Sequence, residues 1–228
     1  MAQRPVFIPG DGCGVQARAV QFKWHPGMSK AQKLRNVMAL HEAARELGLS
    51  PLLEVSTKSP DPLGVRLSAM NLALELSDGR RVPVECAFQS SKVFERAGPL
   101  TDLLDTDPRR VKRDPRLQVS GDLRGFRFQG TAWDLEPQTA FYDWLYIKAL
   151  VSKPSDARQL PAYRGFTDIE FNPRKSINTQ AHACARYVAF VNAGVLEQAM
   201  RSQDAFLVLV GAADDTRPEH ELLRLKGV

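Results

Sequence analysis

The sequence predicts an α+β fold in a single domain, residues 1–228, with a mostly helical core. Three observations lead there. Short alternating segments crowd the N-terminal half, apolar series at helical spacing occupy positions 34–47, 140–151 and 177–195, and no repeat or low-complexity linker divides the chain. At 228 residues, with 43% hydrophobic and 25% charged side chains, the chain has the composition of a globular protein able to bury a sizeable core.

Val6 to Ile8 and Val15 to Trp24 read as strands around a Gly-rich turn at 10–14, whose spacing fits no phosphate loop. Ser29 and Gln32 form a capping-box pattern ahead of Leu34, Val37, Met38, His41, Ala44 and Leu47, with Gly48 as the stop. His41 on that apolar side reads as a core or boundary histidine. Leu52 to Ser56 is strand-like. Met70, Leu72, Leu74 and Leu76 alternate before the Ser77-Asp78-Gly79 turn, and Val82 and Val84 return, so a hairpin leads into Glu85. Pro137 suits a first helical turn before Ala140, Phe141, Trp144, Leu145, Ile147 and Val151. A further helix is expected from near Ser176 through Ile177, Ala181, Cys184, Val188, Val191 and Val195. The tail reads as a strand, Phe206 to Val210, and a short helix from Glu219 to Leu225.

No apolar run approaches the roughly 20 residues that span a bilayer, and the start lacks the apolar core of a signal peptide. No membrane partner and a cytoplasmic location are therefore expected. Three scattered cysteines, Cys13, Cys86 and Cys184, argue against a disulfide framework, and none pairs with a histidine at zinc spacing. Neither a metal nor a cofactor is expected. The net charge of +5 is modest, but its distribution is informative. Between Asp107 and Arg127 basic residues outnumber acids, and Arg109, Arg110, Lys112 and Arg113 form the densest part, a candidate contact for a nucleic-acid backbone.

The run Val84 to Phe94 (VECAFQSSKVF) carries the chemistry. Read as one helix, it turns about 700° and rises about 10.5 Å between Glu85 and Lys92, placing both on one face with Phe88 and Gln89 between them. An acid, an amine, an amide and a ring then share one surface. A polar loop, Ser56 to Pro62, either binds a ligand phosphate or holds its own turn. The expected helix start near Ser176, with Arg174 and Lys175 beside it, offers amides for a pyrophosphate.

The wording of that run resembles the NADAR family, in which a Glu opens an aromatic-Gln-x-x-Lys segment. Leu67 to Leu72 resembles its Ser-Asn-Phe segment, and Gly125 to Phe128 with Trp133 follows in the family's order. Pro137 to Leu150 and Tyr163 to Ala181 resemble the branch associated with DarT toxins. The likeness covers roughly residues 5 to 200, with the motifs between about 50 and 200 and residues 1–49 as an N-terminal extension. The chain departs from the general pattern at Cys86, where a His is usual, and at Gly165 to Asp168, where a Trp-Gly-Asp stretch is usual.

The resemblance implies a NADAR-like core and a glycohydrolase that removes ADP-ribose from guanine in single-stranded DNA, releasing ADP-ribose and reversing a DarT-type toxin. It implies no cofactor. Breaking an N-glycosidic bond needs a carboxylate, a proton donor for the leaving nitrogen and an anion site. Glu85, Lys92 and Asp168 are the catalytic candidates. Lys92 acts either as an amine nucleophile or as a fixed charge, because burial beside Phe88 lowers its pKa while Glu85 raises it. Substrate-binding candidates are Ser68, Asn71, Phe88, Gln89, Trp133, Tyr163, Phe166, Ser176, Asn178 and Gln180, with Trp133 ranked first for stacking on a base. Two other readings compete: an N-glycosidase acting on a free metabolite such as a riboflavin-pathway intermediate, and a non-catalytic module binding nucleic acid or the toxin.

Overall fold

The computed structural model describes residues 1–27, 29–173 and 176–214. Strands β1 (Ala2–Pro9) and β2 (Val15–Phe22) form an antiparallel ribbon in which Ala2 faces Phe22 and Pro9 faces Val15. Helix α1 (Lys30–Glu46) begins at Ser29, whose hydroxyl accepts from Gln32 N at 3.2 Å, and stops before Gly48, which sits at φ +75°. Its buried side is Asn36, Val37, Leu40 and Ala44, packed with Val6, Val20 and Phe22. Met38 and Leu47, expected on that side, are exposed. The stripe is displaced because Asn36 faces inward, its amide satisfied by both backbone groups of His25 at 2.7 and 2.9 Å.

Strand β3 (Leu52–Glu54) and helix α2 (Pro62–Arg66) precede a hairpin of β4 (Ala73–Glu75) and β5 (Arg81–Pro83). The hairpin runs directly into helix α3 (Val84–Ser90), as the sequence indicates. That helix ends sooner than the reading of Glu85 and Lys92 on one helical face requires. Ser90 and Ser91 turn their hydroxyls back to Ala87 O at 3.0 and 2.6 Å, and the chain leaves as strand β6 (Lys92–Phe94). Two 3₁₀ turns, Thr101–Asp105 and Val111–Arg113, and helix α4 (Arg116–Val119) follow. Strands β7 (Leu123–Phe128) and β8 (Thr131–Trp133) then complete an antiparallel sheet in the order β6-β7-β8.

Helix α5 (Ala140–Val151) is buried on nearly every side. Helix α6 (Pro154–Ala157) and strand β9 (Gly165–Thr167) come next. Strand β9 pairs parallel to β3 and antiparallel to β1, giving a four-stranded sheet in the order β2-β1-β9-β3. Helix α7 (Gln180–Asn192) packs on α5 and β1. It starts four residues later than expected, with Thr179 as its cap accepting from Ala181 N. Helices α8 (Leu196–Ala199) and α9 (Gln203–Asp214) close the described chain. The expected strand at Phe206 to Val210 lies within α9: Phe206 and Val210, one turn apart, are fully buried while Val208 is exposed. An unbroken apolar run has no period to separate helix from strand. The expected helix at 219–225 lies outside the described residues.

Helix and sheet share the core, so the fold is mixed rather than mostly helical. Its centre is an ionic cluster between α5 and α7. Asp143 Oδ2 accepts from Arg186 Nε at 2.9 Å and from Thr139 Oγ1 at 3.0 Å, and its carboxylate meets His182 Nδ1. Burial opposes ionisation of Asp143, but His182 and Arg186 outweigh it and hold the carboxyl below its ordinary range. Arg186 Nη1 also donates to Cys13 O, tying both helices to the turn between β1 and β2.

Gly98 sets the position of β6. It sits at φ +111°, and a Cβ there would lie 2.3 Å from Lys92 O. Gly98→Ala is expected to lower unfolding free energy by roughly 1–3 kcal/mol in urea denaturation, through overpacking and an unfavourable φ. An unchanged midpoint would show that β6 yields freely.

Candidate active site

The hairpin-to-helix junction delivers Glu85 to the bottom of a cleft. Its backbone N donates to Ala69 O at 2.9 Å, and the residue is 3% exposed. Oε1 accepts from Gln89 Nε2 at 2.8 Å, and Oε2 meets Lys112 Nζ at 3.0 Å. A carboxylate only accepts, so this contact fixes the Gln89 amide with nitrogen toward Glu85. Gln89 Oε1 is consequently a buried acceptor without a hydrogen-bond partner among the described residues.

Lys92 reaches the same cleft from β6, not from the helix. Its Nζ lies 5.1 Å from the centre of the Phe88 ring and forms no ion pair among the described residues. Burial pulls its pKa below the ordinary lysine value, Glu85 pushes the other way, and Lys112 adds to the lowering. Of the two opposing influences the sequence names, burial is the larger and the shift is downward.

Asp168 follows β9 and faces the start of α7. Oδ1 accepts from the backbone N of Glu170 and Phe171 at 3.0 and 3.2 Å, and Oδ2 accepts from Thr179 Oγ1 and Gln180 Nε2, both at 3.2 Å. Burial and the nearby Glu54 carboxylate raise its pKa to about 7 against the pull of these donors. Gln180 Oε1 accepts from Ala69 N at 2.7 Å. One glutamine thus couples Asp168 to the peptide that holds Glu85. Glu54 is fully buried and accepts from Ser56 Oγ, Ile169 N and Thr167 Oγ1, and Thr167 in turn meets His41 Nε2 at 2.8 Å. Burial pushes His41 down to about 4, consistent with a neutral boundary histidine.

The cleft has two lobes, about 240 and 610 Å³, sharing Glu85, Lys112, Asp168, Ser176, Asn178 and Gln180. The larger lies within the roughly 300–1,000 Å³ typical of ligand sites. The smaller lobe includes Thr57, Ser68, Glu170 and Asn172; the larger has Phe88, Phe126 and Tyr142 as a ring wall beside Gln89 and Lys92. The rings of the larger lobe offer a planar group a face, and Lys112 borders both lobes.

Residues 2–220 match the family described as DarT1-associated NADAR antitoxin. The match spans nearly the whole chain and every motif named above. The chain belongs to that family. A comparison with curated proteins returned no match. Among the described residues no helix is long and apolar enough to cross a membrane.

Within this NADAR chain, the expected site residues divide into two groups. Glu85, Lys92, Asp168, Ser68, Phe88, Gln89, Ser176, Asn178 and Gln180 line the cleft. Trp133 does not: it is 3% exposed and packs against Phe141, Trp144 and Phe206. Phe166 is fully buried in β9, Tyr163 donates to Asp61 Oδ2, and Asn71 is exposed with its amide donating to Val65 O. These four serve the core and its loops, so the expected stacking by Trp133 and Phe166 has no surface to act on. Ser68 also donates to Val65 O at 2.9 Å. The 56–62 loop mostly holds its own turn, with Ser56 bonded to Glu54 and Ser59 accepting from Asp61 N, and Thr57 alone of its hydroxyls lines the cleft.

Cys86, at the position where this chain departs from the general NADAR pattern, faces away from the chemistry. It packs with Leu100, Leu103 and Val111, donates to Thr106 O, and burial pushes its thiol up to about 11. The expected pyrophosphate site at the helix start is altered too: Thr179 and Gln180 are engaged with Asp168, and Arg174 and Lys175 lie outside the described residues. Arg109, Arg110 and Arg113 are exposed without ion pairs among the described residues, whereas Arg116 and Arg124 are held by neighbouring acids. Lys112 leaves that group and enters the cleft.

Tyr142 and Phe126 are the aromatic cleft residues that the sequence reading does not name as site candidates. Tyr142 forms an edge contact to Phe88 with ring centres 4.9 Å apart, and burial together with Glu85 and Asp168 keeps its hydroxyl protonated. In sequence it is one aromatic among several on a buried helix. Phe126 faces Lys92 across the β6–β7 pair, a neighbourhood that exists only after pairing.

Asp168 carries a pH signature. The folded state keeps its proton up to about pH 7, whereas an unfolded aspartate releases it near 3.8. The native form therefore binds more protons across that window, and this group's contribution to stability is lost as pH rises through it. His41 contributes the opposite slope between about 4 and 6.5, so the comparison is between wild type and variant. Asp168→Asn is expected to gain stability relative to wild type as pH rises from 5 to 8 in urea titrations. A constant difference would contradict the raised pKa.

Proposed function

We propose that this NADAR protein is a glycohydrolase that removes ADP-ribose from guanine in DNA, reversing the modification made by a DarT-type toxin. The single observation that carries the reading is the pairing of a buried carboxylate, Glu85, with an unpaired and desolvated amine, Lys92, across one cleft. Family membership supplies the antitoxin role, and the cleft supplies groups for the chemistry.

In this reading the guanine lies in the aromatic lobe, where Phe88, Phe126 and Tyr142 offer ring contacts. Gln89 Oε1, the unpartnered acceptor, suits the N–H groups on a guanine edge. Lys92 attacks the anomeric carbon as its free amine, and the C–N bond to guanine breaks. Asp168, protonated below about pH 7, returns a proton to the departing base. Ring opening gives a Schiff base on Lys92, and water releases ADP-ribose and regenerates the amine. Glu85 holds the ribose hydroxyls and moves protons. The exposed Arg109 and Arg110 precede the 3₁₀ turn that bears Lys112, and exposed Arg113 ends it, so basic side chains neighbour the one cation of this stretch that lines the cleft. That favours a polymer over a free metabolite.

Release of ADP-ribose from a guanine-modified single-stranded oligonucleotide tests the reading. Glu85→Gln and Lys92→Ala are each expected to lower turnover at least roughly 100-fold with little change in thermal midpoint. Borohydride added during wild-type turnover should trap an ADP-ribosyl adduct on Lys92. Turnover without an adduct would replace the covalent step by water attack beside a charged Lys92. Wild-type inactivity on the oligonucleotide would remove the hydrolase reading.

A further inference from the structure

Lys112 was expected to contact a nucleic-acid backbone, yet its amine lies 3.0 Å from Glu85 Oε2. The pair is asymmetric. The Glu85 side chain is 4% exposed, whereas that of Lys112 is 55% exposed. Val111 anchors the turn in a small apolar cluster with Cys86, Leu100 and Leu103, so the lysine's base is fixed while its stem reaches through solvent. Lys112 borders both lobes. The other lysine of the cleft, Lys92, lies over the Phe88 ring in the aromatic lobe. Among the described residues, Lys112 is the cation that lines the smaller lobe, with Lys58 Nζ 3.1 Å from Thr57 Oγ1 at its edge.

We propose that Lys112 is a movable counter-charge, paired with Glu85 in the free protein and transferred to the diphosphate of the ADP-ribosyl substrate on binding. The inference rests on the glycohydrolase reading and adds to it a determinant of substrate specificity. Water screens the lysine end of the pair, and its long side chain loses freedom in holding that geometry, so the lysine is the partner able to move while Glu85 stays fixed. The diphosphate carries two negative charges against the single charge of the carboxylate, so its Coulomb attraction for the lysine is larger. Transfer frees Glu85 Oε2 to hold the ribose hydroxyls or accept a proton. A substrate with ribose but no diphosphate leaves Lys112 on Glu85 and keeps that oxygen occupied. The phosphates thus release a catalytic carboxylate as well as contributing affinity.

The test compares an ADP-ribosylated guanine oligonucleotide with the same oligonucleotide trimmed to a ribosyl group by pyrophosphatase and phosphatase. Lys112→Met should lose roughly tenfold in kcat/KM on the ADP-ribosylated substrate, the scale of one charged contact. On the trimmed substrate it should lose clearly less than on the ADP-ribosylated one, since no diphosphate is there to receive the lysine, and Lys112→Arg should retain the wild-type preference. Titration with ADP-ribose alone should show roughly tenfold weaker binding to Lys112→Met. An equal loss on both oligonucleotides, or no loss on either, would overturn the inference, as would equal ADP-ribose affinity. Failure of the hydrolase reading would look different: wild type would cleave neither oligonucleotide, while ADP-ribose binding would still decide whether Lys112 moves to phosphate.

Discussion

The site depends on the way the Glu85 carboxylate is held. Both of its oxygens and its backbone N–H are engaged, by Gln89, Lys112 and Ala69 respectively. A buried carboxylate so satisfied does not need Lys92 as its counter-ion. Lys92 is left over an aromatic ring with burial acting on its charge. Had Glu85 paired with Lys92 instead, acid and amine would have neutralised each other and the cleft would hold an inert ion pair.

The same peptide segment links the two carboxylates. Ala69 gives its carbonyl to the Glu85 backbone and its N–H to Gln180, and Gln180 reaches Asp168. Asp168 also feels Glu54, which is fully buried and saturated by three donors. The protonation of Asp168 is thereby set by the sheet behind it. Behind Glu85, Asp143 and Arg186 lock α5 to α7 with no exposure at all, and Tyr142 projects from α5 into the cleft. Buried ionic contacts of this kind offset desolvation only when their geometry is complete, which restricts how the two helices can slide.

Much of this was legible in the sequence where local chemistry decides. The capped helix after Ser29, the hairpin into Glu85 and the apolar helices around Trp144 and Val188 follow from period and capping. The family resemblance carried by VECAFQSSKVF is matched across residues 2–220. The structure departs from local pattern where tertiary contacts override it. Two serines end α3 at Ser90 and send Lys92 into a strand, so the shared face is created by β6 pairing with β7 instead of by helical spacing. Trp133 and Phe166 looked like stacking platforms because an aromatic in a motif does not reveal which side of a sheet it occupies. Lys112 looked like part of a basic stripe, and only the fold turns one residue of that stripe inward.

Lys92 is an amine whose charge is disfavoured by burial despite a carboxylate in the same cleft. Its pKa is therefore the quantity to measure, by lysine ε-carbon NMR with Lys92→Arg to assign the signal. The account predicts a value below the ordinary 10.5, because burial outweighs Glu85. It also predicts that Lys112→Met raises that value by removing a neighbouring positive charge. A Lys92 pKa at or above 10.5 would mean that Glu85 claims the lysine as its partner, and would contradict the separation of charges on which the proposed chemistry rests.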